Sequence, residues 1–490
     1  MKRYLGIVVF LSALLLITLI LNGCTLGPNF TKPPAPSQKG YVHSDPEGIE
    51  TVPANGTKQH FDLHSGLNAD WWKLFHSSQI NHWVDQSLAG NQSLEAAQAS
   101  LRRSQDIILA GKGILYPQVN ASLSASRERN VSLIEGTSRS SSQLNFSTFS
   151  GAVSYVLDIF GLERRTIEGL EAVTEAQKNI TRAVFLNIES SIVHAAIAKA
   201  ALEDILHHEQ SLLFDLSVQK QLIEGQAKAG MTAYTSLLSI SENLESRRAE
   251  IDSLEQKRDQ NDHFIASLLG QDLSSTSLPA ISLDSITLPM DLPLSLPSEL
   301  VRQRPDILIA EAQMHIDSAS VGVATAMMWP SVSLSGGGGI IRPEWNLLNA
   351  PSQKFWSIGP SMNLPVFTGG SLMYQKEAAV QQLVKSEAQY RQTVLDAFSN
   401  VADALTALQH DAHYSAALDQ VKADAALTHS LTLKNYQAGL IDYGSVLTTQ
   451  ILLEQAQINN LEAYAQRLQD TVSLLVSLGG GGWDAAVVSP

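Results

Sequence analysis

The feature that most constrains the fold is a duplication, because three short segments of the first half recur in the same order in the second half. The pairs are ILYPQVNASLSA at 114–125 with MMWPSVSLSGGG at 327–338, SYVLDIFG at 154–161 with SMNLPVFT at 361–368, and QAKAGMTAYTSLL at 226–238 with NYQAGLIDYGSVL at 435–447. The offsets are 213, 207 and 209 residues by subtraction, a constancy that chance similarity seldom produces. The chain therefore uses one structural unit twice.

Each unit is predicted to contain a helix, two strands, a long helix, a tight turn and a further helix. The strand segments alternate with period two, and their polar face carries almost no charge. One face holds Val119, Ala121, Leu123 and Ala125, opposite Gln118, Asn120, Ser122 and Ser124; in the second unit Trp356, Ile358, Met362 and Leu364 oppose Phe355, Ser357, Ser361 and Asn363. A membrane β-barrel needs this pattern, although strands of a soluble sandwich alternate in the same way.

Strand number favours the membrane alternative. Only about four such strands occur in a chain that otherwise has helical patterns, and so small a sheet has open edges and cannot close on itself. Membrane barrels begin at about eight strands, so copies of the chain must pool their strands if these cross a membrane. An oligomer is therefore expected.

The helical segments are long. No proline occurs from about Arg164 to Ala229, which predicts on the order of 100 Å of helix. A coiled-coil seam is predicted from apolar residues spaced three and four apart, namely Ile458, Leu461, Ala465, Leu468, Val472 and Leu475. Gly230 and Gly439 are expected to end helices in the left-handed conformation, with Thr232 and Asp442 as N-caps of the helices that follow.

The N-terminus has the order of an export signal: Lys2 and Arg3, an apolar run from Leu5 to Leu21, and small residues ending at Gly23. An uncleaved membrane anchor is the alternative. The tetrad LNGC resembles the lipobox of bacterial lipoproteins, which implies cleavage between Gly23 and Cys24 and acylation of Cys24 with a diacylglyceryl group and a fatty acid such as palmitate. Cys24 is the single cysteine of the chain, so no intramolecular disulfide can form.

Composition excludes some functions. The formal charge is −15, and loss of residues 1–23 removes two basic residues and no acid, giving −15 − 2 = −17. Such acidity argues against nucleic acid as a partner. Charged residues make up 17% of the chain, below the roughly 25% of a typical globular protein, so much surface is expected to be buried in partners or lipid.

Motifs for catalysis are not found, so no enzyme, catalytic residue, cofactor or metal site is expected. His207, His208 and Glu209 lack the HExxH spacing of zinc enzymes, and the sequence has no GxSxG and no GxxxxGK[ST]. The glycine runs at 336–339 and 479–482 lack the context of a phosphate-binding loop. Energy for any transport must then come from a partner.

Longer motifs resemble the outer membrane factor family of TolC-like channels, and most closely its lipoprotein branch that serves RND-type efflux systems (NodT-type outer membrane lipoproteins). In order they are CTLGPNFTKP, NADWWKLF, SYVLDIFGLERR, LPSELVRQRPDILIAEAQ, GVATAMMWPSVSLSG, WSIGPSMNLPVFTGGS and YRQTVLDAFSNVADAL. Two departures are HSSQ after the WW segment, where the family commonly has an Asp, and Pro360 inside a predicted strand, where a bulge or strand end is expected.

The resemblance implies a mainly α protein with membrane β structure: a homotrimer with a twelve-stranded β-barrel, four strands per chain, continued by a long periplasmic α-helical barrel. It implies an outer-membrane location and partnership with a periplasmic adaptor and an inner-membrane pump. The implied function is a passive exit duct for small molecules such as drugs or toxic compounds. The alternatives are the exit channel of a type I protein secretion system and a lipid-anchored periplasmic scaffold without a pore.

The resemblance also places a periplasmic tip at the glycine turns, where family members narrow the tunnel with acidic and bulky side chains. The candidates are Gly230, Tyr234, Gly439, Ile441, Asp442 and Tyr443. A ring of three Asp442 carboxylates would attract cations. One alternative is a solvent-facing N-cap, and another is that the family's acidic position corresponds to Ile441. Arg302, Arg304 and Asp306 are interpreted as a helix start at Pro305.

The expected division of the chain follows from these patterns. It comprises a signal peptide (1–23), a lipid-anchored segment (24–78), a first repeat (79–269), a Pro-rich equatorial linker (270–297), a second repeat (298–478) and a C-terminal tail (479–490). Regular helix is excluded in the linker, which contains LPMDLPLSLP and is expected to cross the outside of the helices as a strap.

Overall fold

A computed structural model describes residues 25–34, 36, 41, 51–53, 58–62, 67–134, 138–272, 278–294, 297–342 and 352–480. The chain forms two compact units, and each contains residues from both sequence repeats. The sheet unit comprises described residues within 1–33, 101–177 and 310–390, and the helical unit comprises those within 34–100, 178–309 and 391–490. Long helices contribute residues to both units.

The described elements repeat the same order in each half of the chain. They are β1 (His60–Asp62), a 3₁₀ helix (Trp71–Phe75), α1 (Ser78–Gly90), α2 (Gln92–Lys112), β2 (Gln118–Ile134), β3 (Ser138–Leu157), α3 (Leu162–Lys228), α4 (Tyr234–Leu268), β4 (Asp291–Pro293), α5 (Pro297–Gln303), α6 (Pro305–Ala326), β5 (Ser331–Arg342), β6 (Gln353–Asn363), α7 (Ser371–Gln437) and α8 (Tyr443–Ser477). Helices α3 and α7 each have 67 residues, about 100 Å, and α4 and α8 each have 35. The predicted helix length is confirmed.

The sheet unit is built on four antiparallel strands in the order β2-β3-β5-β6. The central pair, β3 with β5, joins strands from the two halves of the chain. Each of the three ladders keeps one register from end to end, for example Gln118↔Ser154 through Ile134↔Ser138. Strands β2 and β6 are the edges, and each has one neighbour in the described part of the chain.

The two faces of this sheet have the predicted chemistry. On one face, rows of directly paired residues are apolar. One such row consists of Val119, Val153, Gly336 and Ile358. Many of these side chains are exposed, with Trp356 at 79% and Val119 at 75%. The opposite face carries rows such as Asn120, Ala152, Gly337 and Ser357. An exposed apolar face is typical of strands that contact lipid.

Pro360 does not break its strand, so the expected bulge or strand end there is wrong. It pairs with Leu334 inside a continuous β5–β6 ladder, and β6 runs on to Asn363. The reason is that β6 is an edge strand, where proline is tolerated because one side of the backbone has no ladder partner within the chain. Leu364, expected on the apolar face, lies just beyond the strand.

The helical unit buries the predicted seam of α8. Leu468, Val472 and Leu475 have no exposed surface, and Leu461 is half-buried.

The interpretation of the RQRPD stretch as a helix start is also confirmed. Helix α6 begins at Pro305, and the Arg304 guanidinium donates to the Asp306 carboxylate at 2.7 and 3.0 Å and to the carbonyl of Ser477 at 2.9 Å.

The described residues of the predicted linker are 270–272, 278–294 and 297. Helix α5 begins at Pro297, and the other described linker residues include a 3₁₀ turn at Leu283–Ser285 but no α-helix. Instead β4 pairs in parallel with β1, which the sequence patterns did not predict. Apolar linker side chains are buried, including Leu283 and Leu292. The linker also donates hydrogen bonds to long helices and accepts hydrogen bonds from them. The Asp204 carboxylate accepts from the backbone of Leu283 at 2.9 Å, and the Tyr464 hydroxyl donates to the carbonyl of Ile286 at 3.1 Å.

A buried carboxyl group holds the WWKLF segment in the helical unit. The indole Nε1 of Trp71 donates to Oε2 of Glu189 on α3 at 3.2 Å, and Trp71 has no exposed surface. Burial raises the pKa of Glu189 from 4.5 to about 8, although the hydrogen bond from Trp71 opposes this shift. Glu189 is therefore mainly protonated near neutral pH.

The backbone around Gly339 in β5 leaves no room for a side chain. A Cβ at this position would lie 2.3 Å from the carbonyl oxygen of Phe149 and 2.9 Å from the Phe355 ring, whereas a Cβ at Gly151 meets nothing within 4 Å. We therefore expect Gly339→Ala to destabilise the sheet by about 1–3 kcal/mol and Gly151→Ala to be nearly neutral. Thermal melting in detergent, followed by circular dichroism, measures both; equal melting temperatures for the two variants would contradict the packing.

Glu189 predicts a pH dependence of stability. Its pKa in the folded state lies above the unfolded value, so the folded protein binds more protons between about pH 4.5 and 8, and stability falls as pH rises through this range. Glu189→Gln should remove this penalty and raise stability at pH 9 by on the order of 1–4 kcal/mol, with little effect at pH 4. Melting temperatures at both pH values test this, with the exposed Glu245→Gln as control; an equal shift at pH 4 and 9 would refute it.

Candidate functional site

The polar face of the sheet is the first candidate surface, because it is built from hydroxyl and amide groups. The Oγ atoms of Ser122 and Ser150 lie 2.8 Å apart across β2 and β3, and those of Ser333 and Ser361 lie 2.8 Å apart across β5 and β6. The same geometry thus recurs in the two halves. Further side chains on this face are Gln118, Asn120, Ser124, Thr148, Ser154, Ser335 and Ser357. These groups hydrogen-bond water and carry no fixed charge, which suits the wall of an aqueous passage.

The turns that follow the two 67-residue helices are the second candidate. Both helices end in a Schellman motif. After α3, Gly230 has φ +71°, and its N–H and that of Met231 donate to Ala227 and Gln226 at 3.0 and 2.9 Å. After α7, Gly439 has φ +73°, and the N–H groups of Gly439 and Leu440 make the corresponding bonds at 2.9 and 3.0 Å. The predicted left-handed conformation is confirmed at both glycines.

The caps of the next helices differ between the two turns. Asp442 is the N-cap of α8, and its carboxylate accepts from the N–H of Ser445 at 2.8 Å and from its hydroxyl at 3.2 Å. Thr232, predicted as the matching N-cap, is not one, because α4 begins one residue later than expected and its N-cap is Ala233. Only the second turn therefore places a carboxylate at its helix start.

The other tip candidates surround these turns. Tyr234 is the first residue of α4 and is 67% exposed. Tyr443 is the first residue of α8, and its ring centroid lies 5.4 Å from that of Tyr436. Ile441 is half-buried and apolar, so this chain has no charge at that position. The turns thus combine one carboxylate with exposed aromatic and apolar side chains.

Arg165 organises the N-terminal segment in the sheet unit, a role that the sequence patterns did not assign. Its side chain is 4% exposed and donates to the carbonyl of Leu26 at 3.0 Å, to Oδ1 of Asn29 at 2.8 Å and to Glu168 at 2.6 Å. The N–H of Leu26 donates to the carbonyl of Phe160 at 3.2 Å. The SYVLDIFGLERR motif contains this residue, but its partners Leu26 and Asn29 lie more than 130 positions away in sequence.

Further contacts extend this attachment. The ring of Phe30 stacks on His315 with centroids 4.4 Å apart, and Lys32 pairs with Glu311 at 2.8 Å. A Cβ at Gly27 would lie 2.5 Å from the Cα of Gly322, so the two backbones are in close contact. Gly23 and Cys24, the predicted cleavage and lipid sites, lie outside the described residues.

A metal centre is the remaining kind of site to consider. Within the described ranges, no three His, Cys, Asp or Glu side chains are grouped so that they could hold a metal ion. The candidate surfaces instead offer water-binding groups, a helix cap and a fixed N-terminus. These are elements of a conduit and its attachment.

Comparison with known proteins identifies the family. The model of the outer membrane efflux protein family matches residues 83–271 and 296–480, two segments that together cover most of the chain. The chain belongs to the outer membrane efflux protein family. It is an outer-membrane channel component of an efflux system, with the fold of TolC-like outer-membrane channels.

Individual members of this family are similar over nearly their whole lengths. The toluene efflux pump outer membrane protein TtgC of Pseudomonas putida is 26% identical over 475 residues, 97% of this chain and 96% of that protein. The cation efflux system protein CusC of Escherichia coli K12 is 27% identical over 473 residues, 95% and 98% of the two chains. The structure of the outer-membrane channel OprN superimposes with a TM-score of 0.80 at 26% identity, covering 94% of this chain and 99% of that one.

The Arg165 contacts predict how the N-terminal segment can be released. Arg165→Ala removes the donors to Leu26 and Asn29, so the Leu26 amide should exchange with solvent at least tenfold faster. Lys32→Ala, which breaks an ion pair whose lysine is 75% exposed, should leave this amide unchanged. Hydrogen exchange of the 25–33 peptide by mass spectrometry measures both, and equal exchange in Arg165→Ala and the parent protein would contradict the role of Arg165.

Proposed function

We propose that this protein is the exit duct of a tripartite efflux system, working as a homotrimer with a periplasmic adaptor and an inner-membrane pump. The observation that carries the proposal is the four-stranded sheet, which has one exposed apolar face, one polar face with little charge and two edge strands. Three copies of four strands supply twelve, enough to close a barrel around an aqueous lumen, whereas four cannot close. The polar face then lines the passage and the apolar face contacts lipid.

Small molecules are the proposed cargo. Similar proteins are named for toluene efflux, cation efflux and pyoverdine export. The wall described here supports this class because its hydroxyl and amide groups bind water without selecting one charge. Selection among substrates would rest with the pump and adaptor.

Lipid attachment at Cys24 is also proposed, with cleavage after Gly23 and retention at the outer membrane. Its support is the LNGC tetrad together with the firmly held segment that begins at Thr25, the residue after Cys24. Fixing this segment against the start of α3 would keep the anchor next to the strands that cross the membrane. The proposed division of the chain, with repeats at 79–269 and 298–478, is supported by the equal lengths of the paired helices.

Deleting the gene separates the proposed function from its alternatives. Hypersensitivity to small toxic compounds, restored by the parent gene, is the expected result. Loss of one secreted protein with normal sensitivity would instead indicate a type I secretion channel. Absence of conductance when the purified protein is added to planar bilayers would indicate a scaffold without a pore.

Asp442 is proposed to form a ring of three carboxylates that narrows the periplasmic end of the tunnel. We expect both Asp442→Asn and Asp442→Ala to reduce cation preference, measured as the reversal potential of reconstituted channels in a salt gradient. Asparagine retains the N-cap acceptor, whereas alanine loses it and should cost about 1 kcal/mol of helix stability. If Asp442→Asn keeps the parent reversal potential, the residue acts as a cap alone.

A further inference from the structure

The sheet unit contains a cavity of 370 Å³ where three strands meet three helices. Its walls come from the C-terminal end of β3, the start of α3, the end of α6, the start of β5 and the chain that leads from β6 into α7. The apolar lining includes Phe160, Ala326, Met327, Trp329, Pro365 and Leu372. The rings of Phe160 and Trp329 have centroids 5.2 Å apart, and Trp329 is 48% exposed. The cavity thus has a mainly apolar wall and is open to its surroundings at Trp329.

The described N-terminus lies against the wall of this cavity. The N–H of Leu26 donates to the carbonyl of Phe160, a lining residue, at 3.2 Å. A Cβ at Gly161 would lie 2.8 Å from the Cα of Thr25, so Thr25 contacts the turn between β3 and α3. Gly161 has φ +80°, a conformation that glycine adopts without strain. Cys24 immediately precedes Thr25 in the sequence, so an acyl group attached to it would be tethered one residue from this contact.

The charges around the cavity select against a phosphate-bearing lipid. None of the residues that line it is Lys, Arg or His, and the two charged lining residues are Asp158 and Glu163. The Asp158 carboxylate accepts from the backbone N–H groups of Glu163 and Arg164 at 3.2 and 3.0 Å and pairs with the Arg164 guanidinium at 3.0 Å, which fixes it at the start of α3. The nearby Arg164 guanidinium is engaged by Asp158, and no lining side chain offers a cation to the phosphate of a phospholipid headgroup. An acyl chain on an uncharged glyceryl thioether or amide needs no such cation.

We propose that the cavity binds one acyl chain of the lipid attached to Cys24. This inference rests on the proposed acylation of Cys24. Tethering makes the binding intramolecular, so the chain has a high effective concentration and little freedom left to lose. Burial of its methylene groups against Phe160, Trp329 and Leu372 is favourable. The lipid would then fix the N-terminus to the strand–helix junction and also anchor it in the bilayer.

Photocrosslinking in isolated outer membranes tests the proposal. The full chain carries benzoylphenylalanine at Leu372 or, as a second position that is more exposed, at Thr368, both of which line the cavity. Cells are grown with an alkyne-bearing palmitate analogue, and mass spectrometry first determines whether Cys24 is acylated. After irradiation, proteolysis and mass spectrometry identify what each position has captured. Val119, 75% exposed on the apolar sheet face, is the control position for bilayer lipid.

The expected result is a crosslink between the Leu372 or Thr368 peptide and the acylated Cys24 peptide, at least tenfold more abundant than at Val119. If Cys24 is acylated but both cavity positions capture only phospholipid, or nothing, the cavity does not hold this chain and the inference is wrong, while the anchor proposal stands. If Cys24 carries no acyl group, the anchor proposal and this inference both fail.

Discussion

Backbone groups at a strand edge must be hydrogen-bonded wherever water cannot reach them, and this requirement governs the rest of the structure. Within a bilayer an open sheet edge leaves a row of N–H and C=O groups unpaired at several kcal/mol each, so only closed barrels and helices span membranes. Here β2 and β6 each have one neighbour in the described part of the chain, and the apolar face between them is exposed. Pairing β6 of one copy with β2 of the next would give both edges hydrogen-bond partners, apart from Pro360, which has no N–H to donate, and the apolar face would then contact lipid.

The sequence duplication is consistent with the same need for hydrogen-bonded strands. Each half supplies two strands, and the β3–β5 ladder joins the halves into one sheet without a bulge. Each half also supplies a 67-residue helix that ends in a left-handed glycine and returns as a 35-residue helix. Matched lengths let both halves place their turns at equivalent positions. The two helix starts differ in their caps: Asp442 caps α8, whereas Ala233 holds the corresponding position before α4.

Local patterns predicted the features that depend on local energetics. Long proline-free segments gave the helix lengths, glycine after a helix gave both Schellman turns, and period-two alternation assigned Val119 and Ser122 to opposite faces. The errors also have physical causes. Thr232 is one residue too early to cap α4, and Pro360 is accommodated because its strand is an edge. Both outcomes depend on geometry that a sequence pattern does not specify.

Long-range polar contacts could not be predicted from one sequence. Arg165 lies in the SYVLDIFGLERR motif, but its partners Leu26 and Asn29 precede it by 139 and 136 positions. Glu189 lies in the middle of a helix, where its hydrogen bond to Trp71 has no local signal. The β1–β4 pair joins three-residue strands that are too short for periodicity to detect. These contacts attach the N-terminal segments and the linker, so the sequence patterns indicated the conduit but left its attachments unassigned.

The claim that four strands per chain are pooled into one barrel is tested most directly by the native mass of the mature protein, extracted in mild detergent with its lipid retained. Native mass spectrometry after gradual removal of detergent gives the number of copies. The account predicts three copies, which supply twelve strands. A monomer at the concentrations found in the membrane would leave β2 and β6 unpaired and contradict the proposed channel.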